Sequence, residues 1–349
     1  MVDFNLLKQL TDTNGVSTDE SAVAAVLQAE LKKFMHTVKI DKAGNVIALS
    51  SSSKPDLLIT AHMDEIGLMV KHISDDGFID FERVGGILDI YLPFQRVVIH
   101  GTKDVKGIIA WKIDPSMTRE KLKETPVKCS DLYIDTGLEK KELIALEILP
   151  GTIISYDQQT QEQGDAILGK AFDDRVGCFV ALEIAKRLVA HMSFAVVFTV
   201  QEEIGLKGIQ TALHDIDPKM AIEFEITTTS DIPNLFGKPI PIALGKGPVL
   251  TIADGAEGLT RGFTADRRLV KKIQKMSPEL QYRIVAGGTS DASMTQVSKA
   301  GVPCISLCVP MRYAHTPMGI VKKKDILETI DFAERILLSF INDGTIENI

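Results

Sequence analysis

Apolar residues follow two patterns along the chain, and these patterns predict alternating strands and helices. Continuous runs of β-branched and aromatic residues are typical of strands buried on both faces of a parallel sheet. Such runs cover residues 57–61, 194–200 and 302–309, and residues 220–226 form a similar strand that carries two glutamates, Glu223 and Glu225, on one face. Shorter strands are predicted at 38–40 and 45–49. Apolar residues at helical spacing predict helices over residues 4–10, 19–34, 292–300 and 324–340, and another helix that ends near residue 189. This alternation is typical of an α/β domain.

The second helix carries a start signal in its sequence. Ser17 is followed three residues later by Glu20, which fits a capping box. We therefore expect Ser17 to be the N-cap of this helix and Glu20 to reach back to it.

The pattern changes between residues 68 and 158. Short strand-like pieces, such as 77–81, 95–100 and 105–111, are separated by polar turns, and no long amphipathic helix is predicted there. We interpret residues 68–158 as a small all-β module inserted into an α/β domain that comprises residues 1–67 and 159–349.

Composition limits the classes of function. The 349 residues include 45% hydrophobic and 25% charged residues, as in an ordinary globular protein. The net charge is -8 and there is no run of Lys or Arg, so we expect no nucleic-acid partner. The chain has no apolar run long enough to span a membrane and no signal-peptide pattern at its start, so we expect no membrane partner and a cytoplasmic location. The four cysteines lack CxxC spacing, which argues against a thiolate metal site.

Polar residues that can bind metals lie where the predicted strands and helices begin or end. Each has an ordinary explanation, because acidic residues favour helix N-termini and a histidine at a strand end can be satisfied by its neighbour. In an open α/β sheet, however, ligands bind at the carboxyl ends of the strands. We therefore expect one site to contain His62, Asp173, Glu202, Glu203, Glu225 and His315.

The chemistry of this set points to metal ions. Imidazole and carboxylate ligands without thiolate suit zinc, cobalt or manganese, and one carboxylate can bridge two ions. Two such ions lower the pKa of a shared water and polarise a carbonyl, which is what amide hydrolysis requires. A carboxylate outside the metal shell could accept the proton of that water. His62 and Asp64 share one side of a strand, an arrangement in which a carboxylate orients a metal-binding imidazole.

Four segments, in this order along the chain, resemble the signatures of a known family, the M42 metallo-aminopeptidases. The segments are Ala61-His62-Met63-Asp64-Glu65-Ile66-Gly67, Lys170-Ala171-Phe172-Asp173-Asp174-Arg175-Val176-Gly177, Glu202-Glu203-Ile204-Gly205-Leu206-Lys207-Gly208 and Tyr313-Ala314-His315-Thr316-Pro317. The resemblance covers nearly the whole chain. It implies a three-layer α/β/α metallopeptidase domain interrupted by a PDZ-like β-module that helps assemble homo-oligomers, from dimers to tetrahedral dodecamers.

The resemblance also implies a role for each residue. Two divalent ions would act on a peptide substrate, with Asp173 bridging them. Glu203 and His315 would complete one metal site, and His62 and Glu225 would complete the other. Glu202 would be the general base and Asp64 would orient His62. The residues alone do not distinguish Glu202 from Glu203, or Asp173 from Asp174.

Two positions depart from the family pattern. The residue aligned with Glu225 is usually aspartate in the family, so Asp231 or Glu223 are alternatives for this metal position. We expect Glu225 to be the ligand because only this residue lies at the matching distance after Glu203. The loop Gly287-Gly288-Thr289-Ser290-Asp291 also departs from the pattern, since many members have aspartate directly after the threonine.

Two other functions are alternatives at this point. A glycoside hydrolase needs two carboxyl groups and no metal pair. The histidines in the set, the single tryptophan and the 6% aromatic content argue against it. A scaffold that keeps the fold without activity is the second alternative. Acidic, basic and apolar N-terminal preferences all remain open.

Overall fold

A computed structural model describes residues 2–114, 116–233, 242–256 and 258–349. Strands and helices alternate over most of this length. The strands are β1 Thr37–Ile40, β2 Val46–Leu49, β3 Leu57–His62, β4 Gly67–Ile73, β5 Ile79–Val84, β6 Arg96–His100, β7 Asp104–Trp111, β8 Leu132–Asp135, β9 Ile153–Tyr156, β10 Gln161–Gln163, β11 Ala166–Gly169, β12 Phe194–Thr199, β13 Met220–Thr228, β14 Val249–Ala253, β15 Gln281–Ile284, β16 Cys304–Met311 and β17 Gly319–Lys322. The α-helices are α1 Phe4–Asp12, α2 Ser21–Leu31, α3 Arg119–Glu124, α4 Lys140–Ala145, α5 Phe172–Leu188, α6 Lys207–Ala212, α7 Arg267–Met276, α8 Asp291–Gln296, α9 Lys323–Asn342 and α10 Thr345–Asn348.

Eight strands form the main sheet, in the order β1-β2-β12-β3-β13-β16-β14-β15. Its four central strands, β12, β3, β13 and β16, run parallel to one another. Every residue of β3, β12 and β16 is buried, which explains why their sequences are apolar throughout. The predicted α/β class and the predicted parallel strands are confirmed. The carboxyl ends of β3 and β12 therefore lie side by side.

Two groups of helices pack against this sheet. Helix α5 contacts both α1 and α9, and α5 and α9 cover β3, β13 and β16. Helices α6 and α8 contact each other and pack on β12, β13 and β16. Most residues of α5 are buried, so its N-terminus is held firmly at the carboxyl end of the sheet. No helix within the described ranges is long and apolar enough to cross a membrane.

The predicted capping box is wrong. Helix α2 begins at Ser21 with Glu20 as its N-cap residue, and no side chain caps it. Instead, Ser17 donates its hydroxyl proton to Asp64 Oδ2 at 2.6 Å, and Glu20 Oε1 accepts from the backbone N–H groups of Thr18 and Gln201. A buried carboxylate needs donors more than a helix end does, because the first turn of a helix can be solvated.

A closed barrel follows β3 along the chain, with strand order β4-β5-β8-β7-β6-β9. Its interior is a separate apolar core, since strands such as β7 alternate between buried and exposed residues. Two short helices, α3 and α4, lie in its connections. Just after β5, the chain at Gly85 and Gly86 approaches the carboxyl end of the main sheet. The barrel therefore borders the region where the candidate residues gather.

Candidate metal centre

Asp173 lies at the centre of the predicted set. Its Oδ1 is 2.9 Å from His62 Nε2, and its Oδ2 is 3.3 Å from His315 Nε2. Asp173 lies in the first turn of α5, but its φ and ψ of -78° and 106° are not helical, and the peptide bond to Asp174 is cis. The two oxygens of one carboxylate thus face two different histidines.

Two ligand clusters share this carboxylate. In the first, His62 Nε2 is 3.4 Å from Glu225 Oε1, and in the second, His315 Nε2 is 3.6 Å from Glu203 Oε1. The ligand atoms within each cluster all lie within 4.8 Å of one another. One metal ion could contact every member of a cluster at that spacing. The arrangement therefore offers two candidate cation sites that share Asp173.

The acidic neighbour Asp174 is used differently. Its Oδ1 accepts a hydrogen bond from the backbone N–H of Gly177 at 2.9 Å, three residues further along α5. This is the helix-capping role that an acidic residue commonly has at a helix start. The structure thus separates the two aspartates: Asp173 faces the histidines, whereas Asp174 caps the helix.

Asp64 contacts several parts of the centre at once. Its carboxylate accepts from the backbone N–H groups of Glu202 at 3.0 Å and Glu203 at 3.2 Å, in addition to the Ser17 hydroxyl. His62 Nδ1 lies 3.5 Å from Asp64 Oδ1, which is the outer limit for a polar contact. Burial opposes ionisation of Asp64, but the contacts with His62 and Ser17 hold its pKa below the ordinary value. Asp64 thereby fixes His62 and the Glu202-Glu203 turn relative to each other.

The imidazole of His315 is oriented by the barrel. Its Nδ1 donates to the carbonyl oxygen of Gly86 at 3.1 Å, since a carbonyl can only accept. The other ring nitrogen, Nε2, is left to face Asp173 and Glu203. This is the usual way in which a second contact fixes the tautomer of a metal-binding histidine.

The carboxylates of this centre need positive charge that the described residues supply only in part. Burial raises the pKa of Glu203 to about 8, helped by the charge of Asp173, and burial also raises the pKa of Glu225. Glu203 Oε1 and Glu225 Oε1 are buried without a hydrogen-bond partner among the described residues. Leaving such atoms unsatisfied costs several kcal/mol. The donor set therefore fits a pair of divalent cations.

The histidines respond to the same crowding of negative charge. The hydrogen bond with Asp173 raises the pKa of His315 to about 10. Burial alone would lower the pKa of His62, but the nearby charge of Glu202 and the contact with Asp173 raise it well above its ordinary value. A field that attracts protons to both imidazoles also attracts metal cations to their nitrogens.

The alternatives to Glu225 are engaged elsewhere. Glu223 accepts from the Ser290 hydroxyl at 2.8 Å and from the backbone N–H of Ala292 at 2.7 Å. Asp231 forms a salt bridge with Arg312 at 2.6 Å. Of these three acids, only Glu225 combines a contact with His62 and an unpartnered buried oxygen.

Glu202 belongs to neither ligand cluster and lines a cavity of about 290 Å³ beside them. Burial raises the pKa of Glu202 well above its ordinary value, and the charges of Asp291 and Glu203 raise it further. The described residues that line the cavity are His62, Asp173, Glu202, Glu225, Ile226, Thr227, Thr228, Arg283, Gly287, Gly288, Thr289, Ser290, Ala314 and His315. The cavity therefore places the Glu202 carboxylate beside members of both ligand clusters, where a small molecule could reach all of them.

A buried ion pair joins two of the segments that carry the ligands. Lys170 Nζ contacts both carboxylate oxygens of Glu65, at 2.7 and 2.8 Å, and both side chains are almost fully buried. Arg175 is also fully buried and donates to the backbone carbonyls of Met63, Leu10 and Thr13. These contacts connect α1 and the segment after β3 to the start of α5. They explain why charged residues occur next to the ligands in otherwise apolar segments.

Several residues of the centre carry a left-handed backbone that side chains rarely adopt. Ala171 and Gln201 both have φ of 55°, and His315 has φ of 56°. Non-glycine residues in this region are strained and cluster at functional sites. They flank Asp173 and the Glu202-Glu203 turn, and His315 is itself a member of the second cluster.

Sequence reasoning did not assign the contacts of Ser17, Gly86, Arg283 and Asp291 with this region. Asp291 is buried and accepts from the Thr199 hydroxyl at 2.5 Å, while Arg283 lines the cavity. These residues come from distant parts of the chain and form no local pattern. The sequence carries a weak signal only for Asp291, which ends the glycine-rich loop 287–291.

Comparisons with known proteins show which family the chain resembles. The family model described as M42 glutamyl aminopeptidase matches residues 44–332. The lysyl aminopeptidase of Pyrococcus furiosus is 31% identical over 342 residues, which cover 97% of each chain.

Solved structures are similar as well. An aminopeptidase from the archaeon Desulfurococcus kamchatkensis superposes with a TM-score of 0.87 at 32% identity, covering 95% of this chain and 93% of its own. The TET1 peptidase of Pyrococcus horikoshii, which can assemble into a tetrahedron or a large octahedral shell, has a TM-score of 0.81 at 28% identity, with 96% and 98% covered.

Proposed function

The chain belongs to the M42 glutamyl aminopeptidase family and is a peptide hydrolase, and from that premise we propose that it removes N-terminal amino acids from peptides at a centre for two divalent metal ions. The observation that carries the proposal is the position of Asp173, whose two carboxylate oxygens face His62 and His315 separately. A shared carboxylate between two ligand clusters suits a two-metal site.

In this proposal His62, Asp173 and Glu225 would hold the first ion, and Asp173, Glu203 and His315 would hold the second. The ligands are nitrogen and oxygen atoms, which suit zinc, cobalt or manganese. When bound, such a pair lowers the pKa of a shared water and polarises the carbonyl of the scissile bond. The unpartnered buried oxygens of Glu203 and Glu225 support the assignment.

Glu202 is the general base of the proposed reaction. It accepts a proton from the attacking water and delivers it to the nitrogen of the leaving peptide as the carbon–nitrogen bond breaks. Two features support this role: Glu202 lines the cavity without joining either cluster, and its raised pKa suits a group that both takes and returns a proton. Asp64 positions Glu202 through the hydrogen bond from the Glu202 backbone N–H.

We also propose that residues 68–158 form an oligomerisation module and that the protein is a homo-oligomer. Large apolar side chains of the barrel region face solvent in the single chain, with Leu88 60%, Ile90 69%, Phe94 67% and Ile108 51% exposed. Exposed apolar residues grouped in this way are typical of interaction surfaces. The shells formed by the Pyrococcus horikoshii relative support the same proposal. The cytoplasmic location stays a prediction.

The experiment is hydrolysis of a panel of aminoacyl chromogenic substrates with a free α-amine, in the presence of zinc, cobalt or manganese. We expect cleavage that a chelator abolishes and that added metal restores. Glu202→Gln should lower kcat by at least about 10²-fold while keeping the bound metal. Glu82→Gln, which alters an exposed glutamate of the barrel, is the matched control and should leave kcat unchanged.

The same panel separates the other functions. A glycoside hydrolase would cleave oligosaccharides in the presence of the chelator and leave aminoacyl substrates intact. A scaffold would cleave neither substrate class under any metal. Either result would contradict the proposed aminopeptidase function.

A further inference from the structure

The turn that carries the proposed general base is held through four consecutive backbone N–H groups. The N–H groups of residues 200–203 all donate to oxygens of buried side chains. Asn45 Oδ1 accepts the first at 3.0 Å, Glu20 Oε1 accepts the second at 3.1 Å, and Asp64 accepts the third and fourth. These acceptors lie 138 to 181 positions away from their donors along the chain. The reaction proposed for Glu202 uses only Asp64 among them.

Glu20 directs its side chain away from the helix that it begins. It is the N-cap residue of α2, but no side chain caps this helix. Its Oε1 instead accepts from the N–H of Thr18 at 2.9 Å and from the N–H of Gln201. The carboxyl group is buried, and burial together with the charge of Asp64 raises its pKa to about 7. The hydrogen bonds of Glu20 therefore serve the segment before α2 and the turn after β12.

Both residues that donate to Glu20 have a left-handed backbone. The φ of Thr18 is 84° and the φ of Gln201 is 55°. A side chain disfavours this region, most of all a β-branched one, and such conformations persist only where the surroundings enforce them. One oxygen of Glu20 therefore holds two strained residues in place. The dihedral angles of Gln201 set the direction in which the chain leaves β12, and hence the position of Glu202.

The rest of the turn transmits that constraint. The N–H of Lys207 donates to the carbonyl oxygen of Gln201 at 3.2 Å, and the N–H of Gly208 donates to that of Val200 at 3.0 Å. A Cβ atom at position 208 would lie 2.3 Å from the Val200 carbonyl oxygen, so only glycine allows this approach. Both ends of the turn thus meet at the end of β12. A displacement of Gln201 must therefore move residues 202–203 between them.

We propose that Glu20 is a positioning residue for Glu202: by accepting the N–H of Gln201, it holds the proposed general base in the geometry that proton transfer requires. This inference rests on the proposed aminopeptidase function. Glu20 lies outside the four segments that resemble the family signatures and does not line the cavity. It acts on the reaction only through the backbone. A displacement of about 1 Å at a catalytic group can cost about 10²-fold in rate, so one such hydrogen bond can control turnover.

The test measures kcat and KM of the zinc-loaded enzyme with the best aminoacyl p-nitroanilide of the panel. Glu20→Met removes the acceptor at nearly constant size and should lower kcat by at least about tenfold, with KM changed by less than about twofold. Glu20→Ala also lacks the acceptor and should behave in the same way. Glu20→Gln keeps an acceptor oxygen without the charge and should retain kcat within about twofold. The control is Glu30→Met, which removes a partner of Lys33 on the same helix and should leave kcat unchanged.

The conservative variant separates two explanations of a loss. Glu20 also acts on Asp64 through its charge. If this charge were responsible, Glu20→Gln would lose as much activity as Glu20→Met, and that result would overturn the role of the acceptor. Each variant should bind as much zinc as the wild type and should remain folded at the assay temperature, which metal analysis and thermal unfolding check.

A second substitution tests whether Glu20 acts through Glu202. Residues that act as a unit lose activity in a non-additive way. We expect the double variant Glu20→Met/Glu202→Gln to have a kcat within about twofold of Glu202→Gln alone, because no base remains to be misplaced. Losses that multiply in the double variant would overturn the proposal, since Glu20 would then act on the reaction independently of Glu202.

Hydrogen exchange provides a readout that depends neither on turnover nor on metal. In the metal-free protein, the amides of residues 200–203 should exchange at least about tenfold faster in Glu20→Met than in the wild type, because the turn opens more often. Glu20→Gln and Glu30→Met should keep the wild-type rates. Mass spectrometry of peptides that cover this segment measures the exchange.

The outcomes separate this inference from the function on which it rests. Wild-type kcat in Glu20→Met and Glu20→Ala, or unchanged exchange at residues 200–203, would overturn the role of Glu20 and leave the aminopeptidase intact. A wild type that cleaves no free-amine substrate, or a Glu202→Gln variant with wild-type kcat, contradicts the proposed function instead. In that case faster exchange in Glu20→Met that Glu20→Gln restores supports the hold of Glu20 on the turn, and unchanged exchange overturns it.

Discussion

The Nδ1 atom of His315 donates to the carbonyl oxygen of Gly86 at 3.1 Å, so a loop of the barrel holds a histidine that follows the last central strand of the sheet. The two residues are 229 positions apart in the chain. Gly85 and Gly86 also leave the space that Glu203 and His315 occupy, because a Cβ on either would meet one of those side chains within 3.2 Å. The barrel loop thus supports the second ligand cluster, because it fixes the ring of His315 and leaves room for Glu203.

A side chain at position 86 should disturb that cluster. In Gly86→Ala the added Cβ would lie 2.9 Å from His315 Nδ1, closer than a real Cβ contact, so the imidazole must move. We expect the ion at the second cluster, of which His315 is a member, to bind about 10- to 100-fold less tightly, as for other changes to the support of a metal ligand. Titration of the metal against a competing chelator measures this change.

The matched control is Gly137→Ala, in a barrel turn where nothing lies within 4 Å of an added Cβ. Gly137 has φ of 71°, so its substitution strains the backbone but does not touch the centre. It should lower the free energy of unfolding slightly and keep the metal affinity. Equal metal affinity in Gly86→Ala and wild type would contradict a supporting role for the barrel loop.

The buried ion pair of Lys170 and Glu65 should contribute more to the free energy of unfolding than an exposed ion pair does. Lys170→Met leaves the buried Glu65 with the Gly15 backbone N–H as a donor and with Arg175, 3.5 Å away, as its remaining ion-pair partner among the described residues, and it should lower the free energy of unfolding by about 3–5 kcal/mol. Chemical denaturation measures this loss. Lys141→Met removes an exposed partner of Glu139 and should cost at most about 1 kcal/mol. Similar losses in the two variants would show that the buried pair contributes no more than a surface pair.

Glu20 should make stability depend on pH. Burial raises its pKa from 4.5 to about 7, so the folded state binds a proton more tightly than the unfolded state. The stabilisation is complete below about pH 4.5 and is lost as the pH rises through about 7. Glu20→Gln keeps the acceptor atom for the N–H groups of Thr18 and Gln201 and carries no charge.

The variant Glu20→Gln should therefore unfold like the wild type near pH 4 and be more stable at pH 8, by on the order of 3 kcal/mol. Denaturant titrations of the metal-free protein across this range measure the difference. A difference of constant size at every pH would show that the substitution acts through packing and not through ionisation of Glu20.

The buried strands of the main sheet can be predicted from local patterns in the sequence. The apolar runs of β3 and β12 indicate buried parallel strands because no residue in them needs a solvent-facing side. Helix α7 was not predicted, although Leu269, Val270 and Ile273 are buried at helical spacing. Its sequence is otherwise strongly basic, and this charge masked the apolar stripe.

The sequence predicts which residues meet at the centre, but not how each of them is used. The pattern indicated that His62, Asp173, Glu203, Glu225 and His315 would meet, and the structure brings them together in two clusters. The separate uses of Asp173 and Asp174 depend on the backbone dihedrals at the start of α5, which adjacent acidic residues do not reveal.

Ser17 shows how a long-range contact can override a local signal. Its sequence context fits a helix cap, but its hydroxyl bonds instead to Asp64, 47 residues away. The demand for that donor arises only when Asp64 is buried, which depends on the whole fold. The hydrogen bond between Gly86 and His315 and the place of Arg283 in the cavity wall cannot be read from the sequence for the same reason.

The most direct test of the two-metal account is the number of metal ions per chain after loading with zinc and removal of the excess. We expect two ions in the wild type and in Asp231→Ala, one in Glu225→Ala, and none in Asp173→Ala, because only Asp173 contacts both clusters. Two ions retained in Asp173→Ala or in Glu225→Ala, or a single ion in the wild type, would contradict the account.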